Sequence, residues 1–311
     1  MNASHRQPVQ VVCAGMSVLD RIMRVERFAD EAIKVYAADY DEVGGGPAAT
    51  AAVTVARLGG RAFLVARVGD DLTGRSIQAE LVDLGIDVSA MRTLAGARSA
   101  SSNVIVDARG ERQITHFPGD GLNVEADWVV PSMLQAAGAV LVDMGWWQGA
   151  RRVLELARLA GIPTVIDADL SADPRSEALL QMAEHVVFSE AALVRASGTA
   201  DPLRGLEWAR SRLSGRCLGV TLGADGYAWL EKDVLYRVAG HPIDVVDTLG
   251  AGDVFHGAYA LALAEGRPVA RAAAFANAAA ALKCGRRSGR RGIPWRAEVD
   301  AFLAFAGETP T

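Results

Sequence analysis

Residues 244–258 read Asp244-Val-Val-Asp-Thr-Leu-Gly-Ala-Gly-Asp-Val-Phe-His-Gly-Ala258. A short apolar stretch runs into Gly250-Ala251-Gly252, and helical spacing begins directly after it. Such a glycine turn presents the unpaired backbone N–H groups of a helix N-terminus, which attract phosphate. Asp253 falls in the first helical turn, where a carboxylate is stabilising even as a plain cap. The combination favours chemistry over capping alone. An anion cradle beside a carboxylate can hold a transferring phosphoryl group while the carboxylate receives a hydroxyl proton.

Outward from this stretch the chain alternates. Apolar runs of strand length at 9–14, 63–68, 139–142, 164–166 and 218–222 are separated by helically spaced segments at 47–58, 73–84, 151–160, 202–213, 251–264 and 269–282. Strand alternating with helix implies an α/β fold, a parallel sheet covered by helices on both faces. Pro47 suits a first helical turn, and Gly59, Gly85, Gly161 and Gly266 sit where helices should stop. Two stretches, 21–43 and 99–117, are strand-like with no intervening helix. Within the second, Asp107-Ala108-Arg109-Gly110 reads as a hairpin turn. These stretches form either a small accessory sheet or ordinary edge strands of the one sheet. The alanine-rich run 270–281 reads as close helix packing.

The 311 residues fit one large or two modest domains with a substantial core. Thirty-two basic against 37 acidic side chains leave a net charge of -5, which argues against a general nucleic-acid binder. Cys13, Cys217 and Cys284 form no CxxC pair or disulfide framework, so a reducing cytoplasm is the simplest setting. The first apolar run is interrupted by Gly15 and Asp20 and lacks a signal peptide's shape, and no uncharged apolar run reaches transmembrane length. A GxxxxGK[ST] loop and a GxSxG elbow are both missing, and the histidines at 5, 116, 185, 241 and 256 show no metal-ligand spacing. His256 reads as helix surface or as a support behind Asp253. Gly44-Gly45-Gly46-Pro47-Ala48-Ala49 fits the loose pattern GxGxxA, but it lies well past the first strand, where a dinucleotide fold would not put it. Asp20 lies just past the carboxyl end of that strand, at the usual ligand edge of an open parallel sheet.

The segment Asp247 to Asp253 resembles the signature Asp-Thr-x-Gly-Ala-Gly-Asp of the ribokinase, or PfkB, family of carbohydrate kinases, and matches it completely. The resemblance implies that Asp253 is the catalytic base and that the amides of Gly250, Ala251 and Gly252 form an anion hole. Asp247 and Thr248 would belong to a site for a monovalent cation such as K+. Gly44 and Gly45 would let a sugar approach the backbone, Asp20 would grip its hydroxyls, and Arg57-Leu-Gly59 and Gly69-Asp-Asp-x-x-Gly74 fit the same pattern. Ala49 departs from it, standing where the family commonly has asparagine. Thr221, Gly223 and Gly226, with Asn277, would lie along ATP. The family's Asn-x-x-Glu segment is degraded here to Ser189-Glu190-Ala-Ala192, leaving Glu190 to reach Mg2+ through water. The implied fold is a ribokinase-like main domain of residues 9–20, 44–98 and 118–306, with a β lid of residues 21–43 and 99–117 through which two copies pair.

Within the family the strings Val43-Gly-Gly-Gly-Pro-Ala-Ala-Thr-Ala-Ala, Asp253-Val-Phe-His-Gly-Ala and Ala281-Leu-Lys-Cys are most similar to the bacterial branch that acts on 6-deoxy-6-sulfofructose. Lys34 matches a lysine of that branch's sulfonate pocket. His116 stands in place of an asparagine and Gly145 in place of an arginine, the usual bidentate recogniser of such an anion. The space at Gly145 is expected to go to Trp146, Trp147 or a bulkier substrate. The expected reaction is transfer of phosphoryl from ATP to a hydroxyl of a sugar or sugar derivative. A nucleoside kinase on the same scaffold, a non-catalytic sugar-binding protein and a dinucleotide-dependent oxidoreductase stay open as alternatives. No nucleic acid and no membrane is expected as a partner.

Overall fold

The strand Gln10–Ala14 is buried along its whole length and pairs in parallel on both sides, with Arg61–Val65 and with Ala137–Asp143. Its side chains alternate between two cores, as strand geometry requires. Val11 and Cys13 pack with the helices Pro47–Arg57, Ala251–Ala264 and Val269–Cys284, while Val12 and Ala14 pack with Trp147–Ala160, Glu190–Ser197 and Pro202–Arg212. The computed structural model describes residues 8–31, 33–170, 173–287 and 289–306.

The main sheet has eight strands in the order Val234–Val238, Tyr227–Glu231, Cys217–Thr221, His185–Ser189, Thr164–Ala168, Ala137–Asp143, Gln10–Ala14, Arg61–Val65. Six run parallel. The two at one edge are antiparallel, a hairpin closed by Lys232 and Asp233, whose φ values of 49° and 64° suit a primed two-residue turn. The expected parallel sheet covered by helices is thus present, extended at one edge by this hairpin. The apolar run at 63–68 also divides. Arg61–Val65 joins the main sheet, and Arg67–Gly69 pairs instead with Arg92–Leu94. Gly59, Gly85, Gly161 and Gly266 have φ between 66° and 86° and stop their helices as expected.

A separate four-stranded sheet resolves the ambiguity of the two strand-like stretches. Its order is Asp39–Gly45, Val18–Arg24, Ser101–Val106, Arg112–Phe117. Asp107 makes the expected hairpin turn, its carboxylate accepting from the amides of Arg109 and Glu111 at 2.9 Å each. Asp20, expected just past the first strand, lies inside Val18–Arg24 and so belongs to this sheet. Among the described residues no helix is long and apolar enough to cross a membrane.

The two sheets are joined at Asp143, at the carboxyl end of its strand. Its carboxylate accepts from the amides of Met16 at 2.7 Å, Gly145 at 2.8 Å and Ala48 at 3.0 Å, fastening three loops to one point. The guanidinium of Arg67 lies nearby and donates to the carbonyls of Gly15, Leu122 and Gly145. Gly15 is required there, because a side chain would overlap the Asp143 carboxylate. Asp143→Ala orphans three amides and strips a buried arginine of its counter-charge, so it should cost about 3–5 kcal/mol. A urea titration should show a lower midpoint with unchanged slope.

Candidate active site

The helix Ala251–Ala264 starts on Gly250, whose φ of 75° places it in the left-handed region with no side-chain cap. Such a start leaves the first amides without intrahelical acceptors. Ala251 is the exception among the three expected anion-hole amides, because the tight turn brings its N–H to the Thr248 carbonyl at 3.2 Å. A Cβ built on Gly252 would meet no atom within 4 Å, so the helix start opens onto space. Asp253 follows in the first turn and lines that space.

Burial and the negative charge of Asp167 push the Asp253 carboxyl up to about 7, against the opposing charges of His256 and Arg290. Asp167 is itself raised by burial and by Asp169 and Asp143. His256 is not on the helix surface. It is 2% exposed, its Nδ1–H donates to the Gly252 carbonyl at 2.7 Å, and Asp167 Oδ2 lies 3.3 Å from the same nitrogen. It is thus the support behind the helix start.

Two cavities meet at this helix start. A cavity of about 1050 Å³ is lined by Asp20, His116, Gly145, Thr248, Gly250, Ala251, Gly252 and Asp253. A second, of about 530 Å³, is lined by Thr221, Gly223, Gly226 and Asn277. Thr248, Ala251 and Gly252 border both. Asn277 does not face solvent, because its amide donates to the Ala239 carbonyl at 2.7 Å. His116 Nδ1 and the Ser102 hydroxyl are 3.1 Å apart, and Ser102 stands opposite Asp20 in the sheet register. Burial raises the Asp20 carboxyl, while Ser102, Arg290 and His116 act in the opposite direction.

Other expected residues lie elsewhere. Gly44 and Gly45 border a small space lined also by Asp20 and Asp253, and their lack of side chains makes room for protein groups. A Cβ on Gly44 would overlap the Glu80–Arg290 ion pair, and one on Gly45 would overlap the Asp20 carboxylate. Lys34 is exposed and off the cleft, with its ammonium 5.7 Å from the Tyr36 ring centroid. The gap expected at Gly145 is filled by the Met16 thioether, not by a tryptophan. Glu190 is exposed outside both cavities, whereas Asp167 and Asp169 line the larger one. Asp247 stands behind the cleft, ion-paired with Lys283 at 3.1 Å.

Sequence reasoning missed Arg290, Asp167 and Lys283. Arg290 is 2% exposed and donates to Glu80 at 3.1 Å, to Thr50 Oγ1 at 3.2 Å and to the Gly45 carbonyl. In the sequence it sits among Arg286, Arg287 and Arg291, a run that reads as a solvated face. For Lys283 a usable signal existed, a lone charge at the end of an alanine-rich helix.

Comparison with known proteins bears on this geometry. Residues 9–296 match the family described as pfkB family carbohydrate kinase. A protein from Agrobacterium tumefaciens provisionally named a ribokinase superposes with a TM-score of 0.92 at 38% identity, covering 96% of this chain and 99% of its own. Arabidopsis thaliana ribokinase, solved with ribose and ATP, gives 0.84 at 25% identity over 96% of this chain and 99% of that one. Fructokinase-1 of Oryza sativa is 31% identical over 292 residues, 84% of this chain and 88% of the rice protein. The fold and the signature-bearing helix start thus define a phosphotransferase of the ribokinase-like class. The chain belongs to the pfkB family of carbohydrate kinases and is an ATP-dependent kinase.

A carboxyl near neutrality accepts a hydroxyl proton only when ionised. kcat/KM should therefore rise with pH between about 6 and 8, with an inflection near the Asp253 value of about 7. Asp167→Asn removes the like charge and should move that inflection to lower pH. A pH–rate profile of both proteins checks the direction.

Proposed function

We propose that the protein transfers the γ-phosphoryl group of ATP to a hydroxyl of a neutral or differently acidic keto-sugar or polyol, with Asp253 as the general base. The observation that carries this reading is the helix start that borders both cavities, with Asp253 facing the larger one. The sugar would occupy the cavity lined by Asp20 and His116, and the nucleotide would lie along Thr221, Gly223, Gly226 and Asn277. Asp20, opposite Ser102 in the sheet, can accept from two neighbouring hydroxyls. Asp253 takes the proton of the attacking hydroxyl, and the amides at the helix start meet the charge on the transferring group. Asp167 and Asp169 are the cleft carboxylates that would hold Mg2+ accompanying the triphosphate, which would supply charge neutralisation there. The small sheet roofs the sugar side through Asp20, Ser102, Val104, Ile114 and His116, and pairing of two copies through it belongs to the same reading.

Substrate preference follows from the charges in the larger cavity. Lys34 is off the cleft, and Gly145 contributes no guanidinium. Arg175 and Arg112 line the cavity; the Arg175 guanidinium is paired with Asp173 at 2.7 Å and stacks on Trp147, and Arg112 stands exposed on the strand Arg112–Phe117. Burial lowers the His116 pKa, so that ring is neutral at pH 7. A sulfonate would thus find few fixed donors.

Asp253→Asn keeps the shape of the cap but not its basicity, so turnover should fall by at least about 10²-fold in a folded protein. Normal turnover in that variant would end the assignment. In steady-state assays across sugars, sulfosugars and nucleosides, a keto-sugar or polyol without a sulfonate should show a higher kcat/KM than 6-deoxy-6-sulfofructose. A clear preference for the sulfosugar would instead give Arg112 or Arg175 the missing arginine's task.

A further inference from the structure

The oxygens expected to hold a monovalent cation are engaged by a side chain of the protein itself. Lys283, one residue from the end of the helix Val269–Cys284, is 1% exposed and donates from Nζ to the Asp247 carbonyl at 2.9 Å and to Asp247 Oδ2 at 3.1 Å. The other carboxylate oxygen accepts from the Leu249 amide at 2.9 Å, and the amides of Val246 and Asp247 donate to the Cys284 carbonyl at 2.8 and 3.0 Å. A main-chain carbonyl and a carboxylate form the hard oxygen set that a simple cation would take, and a buried ammonium brings the same single charge to it. The donors therefore do not fit an additional bound K+.

We infer that Lys283 is the resident cation of this site, a positioning residue that fixes the 247–251 turn and makes phosphoryl transfer independent of K+. The physical chain is short. Without the ammonium, the Asp247 carbonyl and carboxylate oxygens repel each other in a buried space. The turn that carries Leu249, Thr248 and Ala251 then relaxes, and the amides at the helix start lose their aim. The kinetic arm of the test rests on the kinase reading above; the thermal arm does not.

Two variants separate charge from packing. Lys283→Ala removes the ammonium and leaves space, whereas Lys283→Met removes it and fills the space. Turnover with MgATP and the best sugar of the panel is measured in KCl and in tetramethylammonium chloride at equal ionic strength, and melting temperature is measured in the same salts without substrates. Wild type should show the same kcat and the same melting temperature in both salts. In tetramethylammonium both variants should lose kcat by up to about 10²-fold, with KM for ATP much less changed. KCl should restore kcat and raise the melting temperature of Lys283→Ala alone. A K+-specific gain in wild-type kcat or melting temperature overturns the inference. Full turnover in both variants overturns it as well, as does an equal loss in both that K+ leaves untouched.

Discussion

Mutual repulsion among buried carboxylates is the constraint on which the rest of this site depends. The strands Ala137–Asp143 and Thr164–Ala168 run parallel and side by side, with Asp143 and Asp167 directly paired in register. Asp253 enters the same region from the helix start, and each of the three is raised by burial. The protein compensates each one differently. Asp143 receives three amides and a guanidinium nearby, Asp167 faces the imidazole of His256, and Asp253 sits at the positive end of a helix with Arg290 behind it. The three amides and the nearby guanidinium offset part of the burial of Asp143, whereas Asp253 is opposed chiefly by the charges of His256 and Arg290. That difference leaves the Asp253 carboxyl near neutrality, where it can both lose and take a proton.

Behind the helix start stand two buried cations, and they act on different parts of it. Lys283 holds the turn that precedes Gly250 through Asp247. Arg290 holds the glycine strand through the Gly45 carbonyl and the following helix through Thr50, and its charge reaches both Asp20 and Asp253. Each cation is paired with a carboxylate, Asp247 or Glu80, so neither is an isolated buried charge. Removing either partner would leave the other unpaired, which makes these pairs devices of position more than sources of net stability.

The features legible in the sequence were those whose physics is local. Hydrophobic period and glycine stops located the helices, since a helix is decided within its own residues. The turn at Gly250 announced itself because the glycine φ, the helix start and its first amides all lie within four residues. What the sequence hid was determined at long range. Arg290 meets Thr50 and Glu80 across 240 and 210 residues, and nothing near it marks it as different from Arg291. The two glycines at 44 and 45 were found from a local pattern, yet the room they leave has a long-range use. Their missing side chains make room for Arg290, Glu80 and Asp20, partners that no local pattern displays. Lys34 shows the converse, a residue singled out by its matching sequence that stands on an exposed segment beside Tyr36.

The small sheet is rooted in the same network as the main one. Its central strand begins at Val18, four residues after Ala14, and the Met16 amide between them is bound to Asp143. Its second strand ends at Gly45, whose carbonyl is bound to Arg290, and Val18 pairs with Gly45 in register. Both strands that leave the main domain are therefore fastened at their point of departure, and Asp20 lies two residues from that point. The far end of the sheet, including Tyr40, Ile114 and the chain near Lys34, is exposed and lacks such anchors among the described residues. A sheet fixed at its root holds Asp20 in a constant position relative to Asp253 and places His116 beside it through Ser102 in register, while Ile114, two residues along the strand Arg112–Phe117, lies toward the exposed end.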